Sequence, residues 1–405
     1  MKTISKTLIA FILIIWINNL FAQTITQTIK GKIIDKESQT PLPGATIVIL
    51  NTEPLLGGVT NENGIFAIKN VPIGRYNIKT VYLGYEPSIA SEVLVGSGKE
   101  IVVNFELSEI LNNLNEIVVK SNKGETMNSM ATVSARQLSV EEASRYAGGF
   151  DDPARLASSF AGVSSSLGNN GIVIRGNAPK GLLWKMEGVE ITNPTHFANI
   201  QTIGAGAITA LSSQMLSNSD FYTGAFPAEY GNATSGVFDI KLRTGNNEKR
   251  ESTLQIGLIG IDISSEGPFM PGKKASYIFN YRYSTLNLLS PILPKEMGKL
   301  KYQDLCFKMN FPTKKLGTFS LWGLGYLDYQ AREALKDSME WESDMDKQQF
   351  KINLLMTAAG LNNRIILGDK TYLNTTIALT GTSLGMNQEN YNEAMNILPT
   401  NKINY

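Results

Sequence analysis

The sequence has very few of the residues that carry most metal and nucleophile chemistry. Its 405 residues include one cysteine, Cys306, and one histidine, His196. A single cysteine cannot form an internal disulfide, and no group of cysteines and histidines has the spacing of a metal site. A zinc site with two histidine ligands, including the H-E-x-x-H helix of metalloproteases, is therefore excluded.

Charge is also scarce and evenly divided. Only 18% of the residues are charged, and the net charge is +1 at pH 7. Nucleic-acid binding needs an excess of Lys and Arg, so nucleic acid is not expected as a partner. Glycine, by contrast, is abundant, with 36 residues, and Asn, Ser and Thr are frequent. This composition suits many strands joined by turns, and the length predicts two or three domains.

Long hydrophobic runs are absent except at the N-terminus. Lys2 and Lys6 precede the apolar run Leu8–Ile17, and a small residue, Ala22, follows. This pattern predicts a cleaved secretory signal over residues 1–22. The run is shorter than the roughly 20 residues that a spanning helix needs, which leaves an uncleaved anchor as the weaker alternative. We expect a protein outside the cytosol whose membrane contacts, if any, come from strands.

Residues 24–107 are predicted to form a β-sandwich, because short strands alternate with regularly spaced turns. Asn63-Gly64 predicts a type I′ hairpin, in which both central residues have positive φ. The motifs Pro41–Ala45, Val59–Gly64 and Gly84-Tyr85 resemble those of the carboxypeptidase-regulatory-like domain. The resemblance implies an accessory module, since the lone histidine excludes the zinc site of a carboxypeptidase.

A short apolar segment, Leu114–Val119, lies within a polar linker over residues 108–130. It has the composition of a strand but no obvious partner strand nearby. One interpretation is a plain strand within a linker. The other is a segment that adds its backbone to the sheet edge of another protein. The residues alone leave both interpretations open.

Residues 131–245 predict a compact α+β unit. Ser139–Tyr146 has capping-box spacing, and Asp152–Ala157 has proline at the first helical position, so both predict short helices. A strand is predicted at Gly171–Gly176, and Leu182–Ile191 predicts a hairpin with its turn at Glu187-Gly188.

Several motifs of this unit resemble, in order and spacing, the plug domain of TonB-dependent outer-membrane receptors. They are Gly162-Val163, Ile174-Arg175-Gly176, Glu187-Gly188-Val189, Tyr222-Thr223-Gly224, Tyr230-Gly231, Gly236–Ile240 and Thr244-Gly245. In that family a segment ahead of the plug, the TonB box, pairs with the protein TonB. The resemblance assigns this role to Leu114, Asn115, Glu116, Ile117, Val118 and Val119. A regulatory-like domain ahead of the box resembles receptors of Bacteroidetes-type bacteria.

Residues 246–405 show the weak alternation of an outer-membrane β-barrel. Tyr277–Tyr283 alternates aromatic and polar residues, and residues 252–266 predict either one long strand or a tight hairpin. Further strands are predicted near residues 301–311, 317–329, 348–360 and 371–383. The strands alone also fit a soluble β-sheet domain, but the plug resemblance favours a barrel. About six or seven strands are fewer than the roughly 22 of that family, which predicts a partial barrel and the N-terminal part of a longer receptor.

Enzymatic readings are weak, and we predict no catalytic, cofactor or metal residues. His196 lacks a nucleophile elbow beside it. Glu187 and Glu190 are interpreted as surface or loop charges, and Cys306 as a small apolar residue within a strand. Asn193, His196 and Phe197 are candidates for a ligand-facing plug loop, although a purely structural loop is the favoured alternative.

The expected architecture is therefore multidomain: a β-sandwich, an α+β plug and a partial transmembrane antiparallel β-barrel. The leading hypothesis is a receptor in the outer membrane that takes up a scarce nutrient, with energy from TonB and its inner-membrane motor complex. Its expected partners are TonB, outer-membrane lipid and a small-molecule or oligomeric ligand such as a siderophore, glycan or peptide. The alternatives are a non-transporting surface binding or assembly protein and a truncated receptor without transport activity. Signalling to a regulator is less favoured, and the sequence does not select a substrate.

Overall fold

The computed structural model describes seventeen stretches of the chain, which are residues 25–36, 38–110, 134–138, 152–165, 171–198, 206, 208–217, 219–257, 260–286, 298–335, 337, 339, 341–344, 346–368, 371–392, 396–398 and 401–404. The predicted signal peptide, the segment Leu114–Val119 and the predicted helix Ser139–Tyr146 lie outside the described residues. The chain divides into an N-terminal unit, described up to Ile110, and a C-terminal unit, described from Ser134 onward.

The N-terminal unit consists of two small sheets. Its strands are β1 (Thr26–Asp35), β2 (Thr46–Ile49), β3 (Leu56–Val59), β4 (Ile65–Pro72), β5 (Gly74–Val81), β6 (Ser88–Val95), β7 (Ile101–Val102) and β8 (Phe105–Leu107). One sheet has the order β4-β1-β7, with β8 also paired to β1, and the other has the order β3-β2-β5-β6. Both sheets contribute to one apolar core, to which Ile33, Ile47 and Ile78 belong. The arrangement fits the predicted β-sandwich.

The predicted hairpin at Asn63-Gly64 is wrong. Gly64 has a φ of 70°, but Asn63 does not have positive φ. The strands on either side belong to different sheets, because β3 pairs with β2 and β4 pairs with β1. The Asn61 side chain closes the turn instead, accepting hydrogen bonds from the backbone nitrogens of Asn63 and Ile65 at 3.0 Å. The turn therefore carries the chain from one sheet to the other.

The first part of the C-terminal unit, residues 134–246, is called the central unit below. Its elements are β9 (Ala135–Leu138), α1 (Pro153–Ala157), β10 (Val163–Ser165), β11 (Ile172–Ile174), β12 (Leu182–Met186), β13 (Val189–Ile191), β14 (Thr195–His196), β15 (Ile208–Thr209), β16 (Ser219–Tyr222) and β17 (Gly236–Ile240). Five strands form a sheet of order β13-β12-β17-β16-β9, in which β12 and β17 are parallel. The mixture of short helix and mixed sheet agrees with an α+β unit.

Local signals in the central unit are confirmed. Asp152 caps α1, where its Oδ1 accepts from the backbone nitrogen of Ala154 at 2.8 Å, and Pro153 begins the helix. The predicted hairpin pairs β12 with β13, and both turn residues have positive φ, 51° at Glu187 and 87° at Gly188. These are the backbone angles that a two-residue type I′ turn requires.

The remaining strands form one antiparallel sheet, called the long sheet below. They are β18 (Glu251–Ile256), β19 (Gly260–Pro268), β20 (Ser276–Ser284), β21 (Lys299–Pro312), β22 (Thr318–Arg332), β23 (Gln348–Gly368), β24 (Thr371–Asn390) and β25 (Asn401–Asn404), paired in chain order. Residues 252–266 thus form a hairpin rather than one strand. The last strands are longer than predicted, because β23 and β24 pair from Gln348 to Gly368. Within the described part of the chain, no helix is long and apolar enough to span a membrane.

The two faces of the long sheet differ in their surroundings. On one face, side chains such as Cys306, Leu324 and Met356 are almost fully buried and join a core shared with the central unit. On the other face, side chains such as Leu305 and Leu379 are apolar and exposed, 43% and 80% respectively. Successive residues of a strand point to opposite faces, so this alternation follows from the pleat. We call the face toward the central unit the inner face.

Aromatic side chains pack over glycines on both faces of this sheet. On the inner face, the Trp322 ring lies 2.7 Å from the position that a Cβ at Gly360 would take. On the outer face, the Phe307 ring covers Gly323 in the same way, 2.6 Å from such a Cβ. Each glycine therefore leaves room for the ring of the neighbouring strand.

Candidate functional site

Three groups of buried ionic contacts join the central unit to the inner face of the long sheet. We name them the Glu266 contact, the Glu187 contact and the His196 cluster. The sheet has short connections at one end, such as Thr313–Gly317, and longer ones at the other, apart from the short β18–β19 turn. The Glu266 contact lies near the end with short connections. The His196 cluster lies near the end with long connections, since Asp328 is close to the end of β22.

The Glu266 contact is a two-pronged ion pair. The guanidinium of Arg243, which follows β17, donates to both carboxylate oxygens of Glu266 on β19, at 2.7 and 2.6 Å. The backbone nitrogen of Asn246 donates to the same carboxylate at 2.9 Å. Glu266 is only 2% exposed. Such paired geometry is the strong form of a charged hydrogen bond, and here it joins the end of the central unit to the first strands of the sheet.

The Glu187 contact corrects the interpretation of that residue as a surface charge. Its side chain is only 8% exposed, and Lys308 on β21 donates to it at 2.9 Å. Lys308 also donates to the carbonyl of Leu242 at 2.8 Å, and the other oxygen of Glu187 accepts from the nitrogen of Leu242 at 2.6 Å. Turn residues are usually exposed, but this hairpin turn points at the sheet. Glu190 is exposed, as predicted, and accepts from Asn232 at 3.0 Å.

The His196 cluster is the most deeply buried of the three. His196 Nδ1 lies 2.6 Å from an oxygen of Asp328 on β22, and its Nε2 lies 2.9 Å from an oxygen of Asp304 on β21. The second oxygen of Asp328 accepts from the backbone nitrogen of Phe197 at 2.6 Å. His196 is 0% exposed. The loop that carries His196 and Phe197 is therefore bound, through both a side chain and its backbone, to two neighbouring strands.

Arg282 on β20 completes the cluster. It donates to Asp304 through Nε at 3.0 Å and to the backbone carbonyl of Thr209 through Nη2 at 2.6 Å. Because Thr209 belongs to β15, which pairs with β14, the arginine holds the second strand of the same loop. The Tyr302 and Tyr326 rings flank the imidazole, with centroids 4.3 and 5.0 Å away.

The geometry sets the charge of His196. Each ring nitrogen faces a carboxylate oxygen, and an ionised carboxylate can only accept, so each nitrogen carries a proton. Burial lowers the pKa of His196, but the hydrogen bonds that its ring donates to Asp304 and Asp328, together with the negative charges of those carboxylates, outweigh burial and raise the net pKa above 6.5. The residue is an imidazolium ion that balances two carboxylates together with Arg282.

The predicted ligand-facing residues lie in this loop with different exposures. Phe197 is 8% exposed and packs edge-on against Tyr302, with centroids 6.4 Å apart. Asn193 is half-buried, and its carbonyl accepts from the hydroxyl of Tyr326 at 3.0 Å. The role of Asn193, His196 and Phe197 in ligand binding stays a prediction.

The sequence did not reveal the sheet residues that complete these contacts: Glu266, Arg282, Asp304, Lys308 and Asp328. A signal for them exists, because each stands at an inner-face position of an alternating strand. Alternation identifies a charged residue facing inward but not its partner. Among the described residues, no group of His, Cys, Asp and Glu is arranged to hold a metal ion. The imidazole nitrogens are already occupied by hydrogen bonds.

Comparison with known proteins finds similarity in parts of the chain. Residues 29–119 match the family model of the CarboxypepD_reg-like domain. Part of the chain is also similar to the TonB-dependent transporter Oar of Myxococcus xanthus, with 26% identity over 238 residues. The alignment covers 56% of this chain and 21% of Oar, so the chain spans about a fifth of the length of that relative.

Solved structures of receptors are similar at lower identity. A mutant of the ferric enterobactin receptor PfeA of Pseudomonas aeruginosa is 13% identical, with a TM-score of 0.39, over 67% of this chain and 45% of that one. The siderophore receptor PirA of Acinetobacter baumannii is 16% identical, with a TM-score of 0.38, over 64% of this chain and 45% of that one.

Proposed function

We propose that this chain forms part of a TonB-dependent outer-membrane receptor that takes up a scarce nutrient. In this proposal the N-terminal sandwich and the segment Leu114–Val119 lie in the periplasm. The central unit is the plug, and the long sheet is part of the wall of a β-barrel. The observation that carries the proposal is the pair of unlike faces of the long sheet: one apolar and exposed, the other joined to the central unit by buried ion pairs.

The outer face has the chemistry of a surface in contact with lipid. Aromatic side chains cluster near the end with short connections, where the Phe269 ring lies 5.5 Å from that of Tyr277 and stacks on Phe311 at 5.2 Å. Rows of aromatic residues at the interfaces flank the apolar band of outer-membrane barrels. Short connections at this end fit the periplasmic side. A soluble sheet with the same exposed apolar face would aggregate.

The ion pairs of the inner face suit a plug that is held and yet moves. A buried ion pair gains little over an apolar contact, because both charges lose their water. When the two surfaces separate, each charge recovers that hydration. The three contacts therefore position the plug with a smaller barrier to release than a purely apolar contact of the same area would give.

Coupling to TonB is assigned to Leu114–Val119, which we propose as the TonB box. An added strand binds through its backbone N–H and C=O groups, and proline removes one N–H donor. In the full-length receptor, Val118→Pro should abolish nutrient uptake and site-specific crosslinking to TonB. Val118→Thr keeps the N–H and the β-branched shape, and should preserve both. Normal uptake and crosslinking in Val118→Pro would contradict the assignment.

Growth experiments can identify the nutrient. A strain lacking the full-length receptor should fail to grow on one limiting nutrient of a panel that includes iron–siderophore complexes, glycans, peptides and cobalamin. Asn193 is the predicted loop residue with side-chain exposure. Its replacement by Ala should therefore weaken uptake of that nutrient if the loop contacts the ligand, whereas Glu190→Ala, at an exposed position of β13, should not.

A further inference from the structure

We propose that His196 is a pH-dependent latch of the plug, whose protonated form binds the loop Asn193–Phe197 to the barrel wall and whose deprotonation frees that loop while the Glu187 and Glu266 contacts remain. The inference rests on the proposed receptor function, in which the plug moves within the barrel. It concerns the regulation of that movement at the end of the barrel with long connections.

The latch differs from the other two contacts in the chemistry of its cation. The Glu266 contact uses Arg243 and the Glu187 contact uses Lys308. Arginine and lysine are residue types that ordinarily titrate well above neutral pH. The His196 cluster uses the chain's single histidine. Histidine is the side chain whose charge changes closest to neutral pH. A change of pH therefore acts on one contact of the three.

Carboxylates outnumber cations around the imidazole. The titratable and charged groups that face it or its partners come from four strands: Asp262 on β19, Arg282 on β20, Tyr302 and Asp304 on β21, and Tyr326 and Asp328 on β22. With His196 protonated, two cations oppose three carboxylates. Without that proton, Arg282 alone opposes them. The neutral imidazole keeps one N–H, so it can donate to only one of Asp304 and Asp328, and the lone pair of its other nitrogen faces the other carboxylate.

The direction of the pH effect follows from the raised pKa of His196. Folding the loop against the wall favours the protonated form, so the latch contributes its full stabilisation below the ordinary histidine pKa of about 6.5. That stabilisation is lost as the pH rises through the higher pKa of the folded state. The contact between plug and wall should therefore loosen on the alkaline side, with one proton released for each opening.

Cys306 provides a reporter within the wall itself. It lies on the inner face of β21 between Asp304 and Lys308, is 1% exposed, and packs in the core that the plug shares with the sheet. A maleimide reaches this thiol only when the plug separates from the wall. Labelling at Cys306 can be quantified by peptide mass spectrometry in the full-length receptor. Dividing the rate by that of the urea-unfolded receptor at each pH removes the intrinsic pH dependence of the thiol.

The normalised rate in the wild-type receptor should be constant below about pH 6, rise by up to about tenfold per pH unit above about pH 6.5, and level off once the pH exceeds the raised pKa of His196. In His196→Gln, which keeps hydrogen-bonding atoms but no charge, the rate should be high and independent of pH. In Glu187→Gln the rate should be raised at every pH with the wild-type slope. A flat wild-type profile up to about pH 9, or an unchanged slope in His196→Gln, overturns the proposal.

The wild-type titration needs no variant, so a folding failure of His196→Gln leaves the proposal testable. Heat-modifiable mobility on gels identifies the folded barrel in each sample. Uptake is measured in the same strains. The expected labelling without uptake of any nutrient would contradict the receptor function and not the latch. Normal uptake with a flat labelling profile would contradict the latch and not the receptor function.

Discussion

In the N-terminal sandwich, Ile29, Ile33 and Ile47 are fully buried within an aliphatic core, whereas the contact between the central unit and the long sheet buries charged residues such as Asp304 and Asp328. Fully burying an isoleucine contributes about 1.5–3 kcal/mol, largely regardless of small shifts in its neighbours. A buried charge contributes only while its partner is in place. The sandwich should thus be sensitive to lost volume, and the plug contact to single lost charges.

This difference matches what the two regions have to do under the proposed function. The sandwich stays folded while the receptor works, and its core has no reason to open. The plug contact must hold and then separate, and charges that can be hydrated again make separation reversible. Each of the following substitutions tests one side of this contrast in the full-length receptor, from the largest expected effect to the smallest.

Asp328→Ala should have the largest effect on the plug contact. The change leaves the His196 imidazolium and the Phe197 nitrogen without their acceptor, and breaking a buried pair costs about 3–5 kcal/mol. Urea unfolding of the purified receptor measures the loss. The control is Asp344→Ala, because the Asp344 side chain is 89% exposed and forms a surface ion pair with Lys347. Equal stability of the two variants would remove the distinction between buried and exposed charge.

Ile33→Ala should destabilise the sandwich by about 3 kcal/mol, through lost burial and the cavity left behind. Limited proteolysis followed by mass spectrometry should show faster cleavage within residues 25–110. Ile89→Ala removes the same atoms from a side chain that is 40% exposed, and should change cleavage little. Labelling of Cys306 should match the wild type in both variants, since both substitutions lie in the N-terminal unit, whose core is separate from the core that contains Cys306.

Glu187→Gln should weaken the plug contact by about 1–3 kcal/mol, less than Asp328→Ala. The amide oxygen can still accept from Leu242, but the charge opposite Lys308 is lost. The matched control is Glu190→Gln on the same hairpin, where the exposed carboxylate predicts a change within about 0.5 kcal/mol. Urea unfolding measures the free energy of unfolding of both variants. A larger effect at Glu190 would contradict the placement of the hairpin turn against the sheet.

Gly323→Ala should cost about 1 kcal/mol on the outer face, because the new Cβ meets the Phe307 ring and forces it to move. Gly325→Ala is the matched control, since its Cβ would meet its nearest neighbour at an ordinary 3.5 Å. Thermal denaturation in detergent distinguishes them. The outer face should thus respond to volume, as the sandwich does, although it belongs to the same sheet as the charged inner face.

The features that were predicted best from the sequence are those that local chemistry determines. The hairpin at Glu187-Gly188 was predictable because a two-residue turn needs residues that accept positive φ. The capped helix after Asp152 was predictable for the same kind of reason. The same reasoning failed at Asn63-Gly64, where a similar dipeptide joins strands of different sheets. The residue types of a dipeptide favour particular backbone angles at that turn. Which strands pair with each other depends instead on how the core packs.

The ionic contacts could not be predicted from local sequence patterns. His196 is separated from Asp304 and Asp328 by 108 and 132 residues. Alternation along β21 and β22 could place those carboxylates on the inner face, but the loop that meets them depends on how the central unit packs. For the same reason Glu187 was assigned to the surface: its turn has the composition of an exposed loop, and only the tertiary fold buries it.

The packing of Trp322 over Gly360 implies a constraint on how related sequences diverge. The indole occupies the space of a side chain at position 360, and its nitrogen donates to Asn362 on the same neighbouring strand at 3.2 Å. A mutation at either position alone produces a clash or a void, so the two can change only as a pair. Among homologous sequences, a residue larger than glycine at 360 should accompany a small one at 322, and the amide at 362 should then be free to vary.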